Sequence, residues 1–396
     1  MVLFRTLISL SQKAVRNINS VRLLPFLNGS LIYLNLNYFV NFPILIYKLK
    51  LDWEELGEKV EKRRELWIDA AKGFSIIFVV MGHSGDALAN HYLSWFRMPL
   101  FFLLSGLVFK PIDPGRYAGW AVKRTKGLMT PYFAYGLLIA AILLLFNLNF
   151  KGFAENVARL LYGGLSLTGP YGVFWFITCL LFTQLLFGFI VRYTIKTQLL
   201  LIASAYALSH LISLTSLKNY NLPWNIDVAL LAVTYYGAGY YGKKVIPALI
   251  RARAALPVLL PLCAIVFYME YAGVISYSLN MKYKEYDAII LDLAIPLLIS
   301  LTICTAVYYL SRRLPLSWLG NLGRNTIAIM YLHLPVNYAL KFLLGADYGL
   351  LIFTVIGIGV PLLAALWASR YPALSKLYLG RAGGQRQAVN YGERLQ

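Results

Sequence analysis

Residues 67–86 read WIDAAKGFSIIFVVMGHSGD, an apolar run that nevertheless carries Asp69, Lys72, His83 and Asp86. A stretch this rich in Ile, Phe and Val has the character of a membrane-entering helix. At about 100° per residue, positions 69, 72, 76, 79, 83 and 86 step by three or four and return to one face. The spacing therefore predicts one helix over 66–88, with all four ionisable side chains on a single stripe. Charge facing lipid is costly, so that stripe is expected to face the interior of a bundle or a wet cavity. With a rise of about 1.5 Å per residue, His83 would lie roughly 16 Å farther across the membrane than Lys72.

The rest of the chain agrees with a membrane setting. Of 396 residues, 59% are hydrophobic and 14% charged, against roughly 25% charged in a soluble domain. The mean hydropathy is +0.63. Apolar stretches of spanning length fall near 66–88, 95–110, 130–149, 172–192, 197–215, 227–245, 254–276, 288–310, 326–345 and 349–369. The expected fold is an all-α bundle of about ten transmembrane helices, the second one short.

The formal charge of +20 does not point to nucleic acid, because the cations sit in short clusters between apolar spans. If the segment from Leu66 runs outward, Lys and Arg concentrate in the loops assigned inside and in the tail, which places both bundle ends in the cytoplasm. Cys179, Cys263 and Cys304 lie far apart without C-x-x-C spacing, so no disulfide frame or metal site is expected. No internal repeat is visible. The organisation reads as a membrane domain over 66–369, preceded by a charged cytoplasmic helix at 51–65 and followed by a basic cytoplasmic tail at 370–396. Residues 1–50 form an extension that suits an interfacial helix, a targeting segment or a start assigned too far upstream.

Chemistry concentrates in the opening stretch. An imidazole, with an unperturbed pKa of about 6.5, suits proton abstraction near neutrality, and Asp86 three residues on could fix its tautomer. The arrangement suits removal of a proton from an alcohol. The competing structural reading makes Asp69 and Lys72 an i, i+3 pair that joins helices. The next segment, FRMPLFFLLSGLVFKP (96–111), places Pro99, Ser105 and Gly106 in a short apolar span, an irregular helix tolerated only against protein or water.

Together these stretches resemble the acyltransferase 3 family of membrane O-acyltransferases, which act on sugars and other hydroxyl acceptors. Asp69, Lys72, Gly73 and His83 match its first-span pattern, with Lys where Arg is more common. MPLFFLLSG (98–106) matches the second span. The basic loop with Lys123, Arg124 and Lys126, the pair Pro131 and Tyr132, the pair Trp175 and Phe176, and LGNLGRNTIAIMYLHLP (319–335) follow in the family's order. The likeness is nearest to the branch described as fucose O-acetyltransferase-like. It implies a ten-helix bundle, acyl-CoA as donor substrate and His83 as the essential catalytic residue. Acetyl-CoA is the expected donor, and no cofactor is expected to be permanently bound.

The mechanism to be tested has His83 as general base toward a sugar hydroxyl, or alternatively as an acyl-histidine relay, with Asp69 and Asp86 in the same catalytic group. Lys72 would meet the anionic donor, and Lys123, Arg124 and Lys126 could hold its phosphates or serve only as positive-inside anchors. Arg97, Ser105, Trp175, Asp292, Arg324, Asn325 and His333 are candidate acceptor or cavity residues. His210 and His91 read as structural. The expected partners are the bilayer, acyl-CoA and a carbohydrate acceptor, with a surface polysaccharide or lipid-linked glycan of the bacterial envelope first among them and the inner membrane as location. A transporter or flippase for a glycan precursor is the second reading, since a polar stripe also describes a pathway. It lacks the paired broken helices of many secondary transporters.

Overall fold

The computed structural model describes residues 66–380. The expected extension at 1–50, the charged helix at 51–65 and the tail beyond Gly380 lie outside the described residues. Among the described residues the protein is all-helical, with an isolated bridge between Asn280 and Glu285 in place of any strand.

Fifteen α-helices follow one another. The first group is α1 (Leu66–Met81), α2 (Ala87–Ser94), α3 (Arg97–Leu107), α4 (Tyr117–Asn147) and α5 (Phe150–Tyr162). The second is α6 (Trp175–Ile190), α7 (Ile195–Leu214), α8 (Val228–Tyr241), α9 (Val245–Arg251) and α10 (Ala255–Tyr271). The last is α11 (Leu291–Arg313), α12 (Ser317–Arg324), α13 (Thr326–Leu344), α14 (Leu350–Ala368) and α15 (Pro372–Leu379).

Each of the ten apolar stretches forms a helix, but they are not equivalent. Among the described residues six helical segments are long and apolar enough to cross a membrane, and a seventh if α9 and α10, bent by 96° at their junction, count as one. The stretches at 66–88, 95–110 and 227–245 yield α1, α3 and α8, of 16, 11 and 14 residues. At 1.5 Å per residue these are about 24, 17 and 21 Å long, short of a hydrocarbon core of about 30 Å. They are also largely enclosed by protein: Ala71, Ile76 and Val80 of α1, Phe102 and Leu104 of α3, and Leu231, Ala232 and Val233 of α8 are all buried. A helix wrapped by other helices is apolar all round, so hydropathy cannot tell it from one facing lipid.

Glycines set the closest contacts among these inner helices. A Cβ on Gly73 would lie 2.1 Å from the Leu319 carbonyl oxygen, and one on Gly323 would lie 1.8 Å from that of Asp69, so α1 and α12 touch backbone to backbone. Gly106 of α3 and Gly239 of α8 repeat the arrangement, facing the carbonyls of Tyr236 and Leu103. Small residues that let backbones meet are the usual means of helix association where hydrophobicity gives no drive.

The stretch from 82 to 86 departs from the single helix expected over 66–88. The helix stops at Met81, and a turn through Gly82 and Gly85 follows, Gly85 holding a φ of +94° that side chains rarely adopt. Asp86 then caps α2, its Oδ1 accepting the Ala89 N–H at 2.7 Å. His83 and Asp86 are thus in a turn and a cap, not on the helical stripe of Asp69 and Lys72. Two glycines, a serine and a good N-cap residue within five positions end the helix where the apolar count would continue it.

Candidate active site

The turn after α1 presents the His83 ring to a cavity of about 400 Å³ whose walls include Arg97, Trp175, Lys282 and Tyr338. That size lies within the usual range for small-molecule sites, roughly 300–1,000 Å³. His83 Nδ1 is 2.6 Å from the Val79 carbonyl oxygen. A carbonyl only accepts, so Nδ1 carries the proton, and in the neutral ring Nε2 keeps its lone pair. The backbone of α1, and not Asp86, fixes the tautomer: the Asp86 carboxylate is committed to the α2 cap.

A second imidazole stands behind the first. The His333 ring lies 5.3 Å from that of His83, centroid to centroid, tilted by 60°. It is held the same way, with Nδ1 donating to the Ile329 carbonyl at 2.8 Å. Its Nε2 is buried and meets no hydrogen-bond partner among the described residues. Met330 and Leu334, one turn of α13 around it, line the cavity directly.

Arg97 opens α3 beside the turn. Its Nη2 donates to Asn90 Oδ1 at 3.0 Å, and its carbonyl accepts from Ser75 Oγ at 3.2 Å. The guanidinium packs on Gly82 so closely that a Cβ there would lie 1.7 Å from Nη1. Gly82 is therefore part of the site, although its role is invisible in the sequence pattern.

Lys282 is the other cation lining the cavity. Its loop, between α10 and α11, folds inward. Lys284, with φ +58°, forms a buried ion pair with Asp227 at 2.7 Å and donates to the Tyr220 carbonyl at 2.7 Å, while its own carbonyl accepts from Ser213 Oγ at 2.7 Å. Two residues earlier, Lys282 Nζ donates to the carbonyls of Leu167 and Gly172 at 2.9 and 3.0 Å. Burial lowers its ammonium to about 8. Along this loop buried Lys282 and Lys284 alternate with exposed Tyr283 and Glu285.

Trp175, at the start of α6, also lines the cavity, whereas the remaining candidate residues fall in other places. Asp69 and Lys72 sit toward the opposite end of α1, where Gly323 brings the α12 turn bearing Arg324 and Asn325 against the Asp69 backbone. Arg324 bonds the Asn321 side chain, and Asn325 Nδ2 donates to the Asn321 carbonyl at 2.9 Å. The first-span residues and the late LGNLGRN stretch are thus neighbours at that end. Ser105, one residue from the Gly106 contact with α8, lies outside the cavity. Lys123 and Lys126 are exposed on α4, while Arg124 Nε donates to Gln184 of α6.

Asp292, expected as a cavity acid without a known partner, is instead a structural link. His210 Nε2 lies 3.1 Å from its Oδ2, which also accepts the Ala288 N–H at 2.9 Å, and its carbonyl accepts from Tyr235. Both side chains are almost fully buried. His210, which had no patterned company in the sequence, joins α7 to α11 through this contact. Among the described residues no group of three or more His, Cys, Asp or Glu could hold a metal ion.

Comparison with known proteins places the chain within this chemistry. The family model for an acyltransferase domain of the acyltransferase 3 type matches residues 65–370, and the chain belongs to that family. No curated protein and no solved structure matches it.

Proposed function

We propose that this multi-pass membrane acyltransferase transfers acetyl from acetyl-CoA to a sugar hydroxyl of a surface polysaccharide or lipid-linked glycan, with His83 as general base. The observation that carries the reading is the locked ring: Nδ1 is engaged by Val79, so Nε2 is the nitrogen left for a ligand in the cavity that the ring lines. Nε2 takes the proton of the acceptor hydroxyl as its oxygen attacks the thioester carbonyl. A C–O ester bond forms, the C–S bond breaks, and the proton passes from His83 to the departing thiolate, leaving an acetyl ester and free coenzyme A.

The two ends of α1 divide the work. Asp69, Lys72 and the α12 turn with Arg324 and Asn325 serve the donor end, assisted by Lys123, Arg124 and Lys126 toward coenzyme A phosphates. The positive-inside pattern puts that end in the cytoplasm and the His83 cavity toward the outer face of a bacterial inner membrane. A soluble donor and a secreted acceptor would then meet across the bundle.

The test is the ester-linked acetyl content of the producing cell's surface glycans, compared among the intact protein, a deletion and His83→Ala at equal membrane level. Loss of acetyl in both altered strains supports the reading. Unchanged acetyl in the deletion removes surface glycans as acceptor, and unchanged acetyl in His83→Ala alone removes His83 as the base.

A further inference from the structure

The cavity beside His83 is electrostatically one-sided. Two cations, Arg97 and Lys282, form part of its wall, and the one carboxylate lining it, Asp86, holds the α2 N-terminus. Neither cation has a carboxylate partner among the described residues. Arg97 is held by the Asn90 side-chain oxygen and by close packing on Gly82, with Nη1 buried and without an acceptor. Lys282 is held by two backbone carbonyls, which leaves one of its three donors uncommitted.

Two positive charges without a carboxylate partner, one of them on the buried Lys282, are unfavourable in the free protein, and an entering anion offsets that cost. The support beneath them is rigid. Gly82 provides the seat for the guanidinium, and the Lys284–Asp227 ion pair fixes the loop that aims Lys282. A site held in place before the ligand arrives loses little freedom on binding. Trp175 and Tyr338 supply aromatic surface beside the two charges, as a sugar ring with an acidic substituent requires.

We propose that the His83 cavity selects an acceptor bearing an anionic group, a carboxylate or a phosphate, which Arg97 and Lys282 grip while a neighbouring sugar hydroxyl meets His83. The assignment of the bound sugar as acceptor rests on the acyl-transfer reading above. The anion selectivity does not, and can be measured alone.

The experiment uses the full chain in nanodiscs of uncharged phosphatidylcholine. Three probes are titrated by ligand-observed NMR: methyl glucuronide, glucose 1-phosphate and uncharged methyl glucoside. At least one anionic probe should bind about tenfold or more tighter than the neutral one, the effect of one hydrogen bond to a charged group. Which anion binds more tightly distinguishes a uronate from a sugar phosphate.

Lys282→Gln and Arg97→Gln should each remove most of that preference, and Lys282→Arg, which keeps the charge, should retain it. Equal affinity for charged and neutral probes in the unaltered protein overturns the inference. So does retention of the full preference in both glutamine variants, or displacement of the anionic sugar by coenzyme A, which would reassign the cations to the donor. Loss of preference in Lys282→Arg as well would make Lys282 a staple of the loop and overturn its part. Acetyl transfer is measured on the same samples. Anion binding without transfer in the unaltered protein sinks the acyl-transfer reading alone, whereas transfer to neutral and charged sugars with equal KM sinks only the anion selectivity.

Discussion

Two histidines of this protein, His83 half-buried and His210 buried, are held alike and differ in one neighbour. His83 and His210 each donate Nδ1 to the carbonyl four residues earlier, Val79 and Tyr206. In His210 the other nitrogen lies against the Asp292 carboxylate, itself committed to the Ala288 amide, and the pair is sealed between α7 and α11. Among the described residues, the other nitrogen of His83 has the cavity and, nearby, the ring of His333. The helix carbonyl thus fixes the His83 tautomer without any acid, whereas His210 meets one at its second nitrogen. The group opposite Nε2 decides whether the imidazole joins two helices or remains available for chemistry.

The contrast predicts opposite phenotypes. The largest effect is expected at His83: His83→Ala should lower acetyl transfer by about 10²- to 10⁴-fold, the usual contribution of a positioned base, with thermal stability in detergent close to that of the parent. A large loss of stability would place His83 in the same class as His210. Next comes Asp292→Ala, which leaves His210 buried without its carboxylate. It should cost about 3–5 kcal/mol of stability, read as a lower unfolding midpoint, while the turnover per folded molecule stays near normal. A fall in turnover without a fall in stability would bring Asp292 into the reaction.

Smaller effects bear on the scaffold that holds the two ends of α1. Gly73→Ala forces a methyl against the Leu319 carbonyl and should destabilise by about 1–3 kcal/mol, with the larger loss in donor KM because Asp69 and Lys72 shift with it. Equal changes in donor and acceptor KM would refute the separation of the two ends. The mildest is a pH effect. Lys282 is charged below about 8 and loses its proton as pH rises past that value, since burial has lowered it from the usual lysine range. The KM for an anionic acceptor should therefore climb as pH is raised from about 7 to 9, by a few-fold only, because Arg97 keeps its charge and a bound anion itself favours the protonated amine. Asp86, His83 and Tyr283 also face this part of the cavity and are the groups to vary if the limb lies elsewhere. A flat profile would assign anion recognition to Arg97 alone.

Much of this was legible before any coordinates. The membrane setting, the family and the order of apolar segments follow from the run at 67–86 and MPLFFLLSG at 98–106, which also single out His83 as the candidate base. Trp175 was expected at a cavity and lines one. What could not be read was which apolar stretches are long helices and which are short inner ones. The helix break at Gly82 was equally hidden, as were the partner of Asp292 and the role of Lys282. Asp86 illustrates the limit: three residues from His83 in sequence, it turns away to cap a helix, because an aspartate preceding a helix finds unsatisfied amides closer than the imidazole.

By itself, then, the sequence determined that this chain is an all-helical membrane protein of the acyltransferase 3 family, and it singled out His83 as the candidate base. Hydropathy and short-range motif spacing are local properties, complete within about twenty residues. Only the tertiary structure decided that Gly73 meets the late LGNLGRN segment, that His333 stands behind His83, and that Lys282 joins Arg97 at one cavity. Those juxtapositions join positions about 185 to 250 residues apart, and they depend on which backbones can touch and which charges find partners.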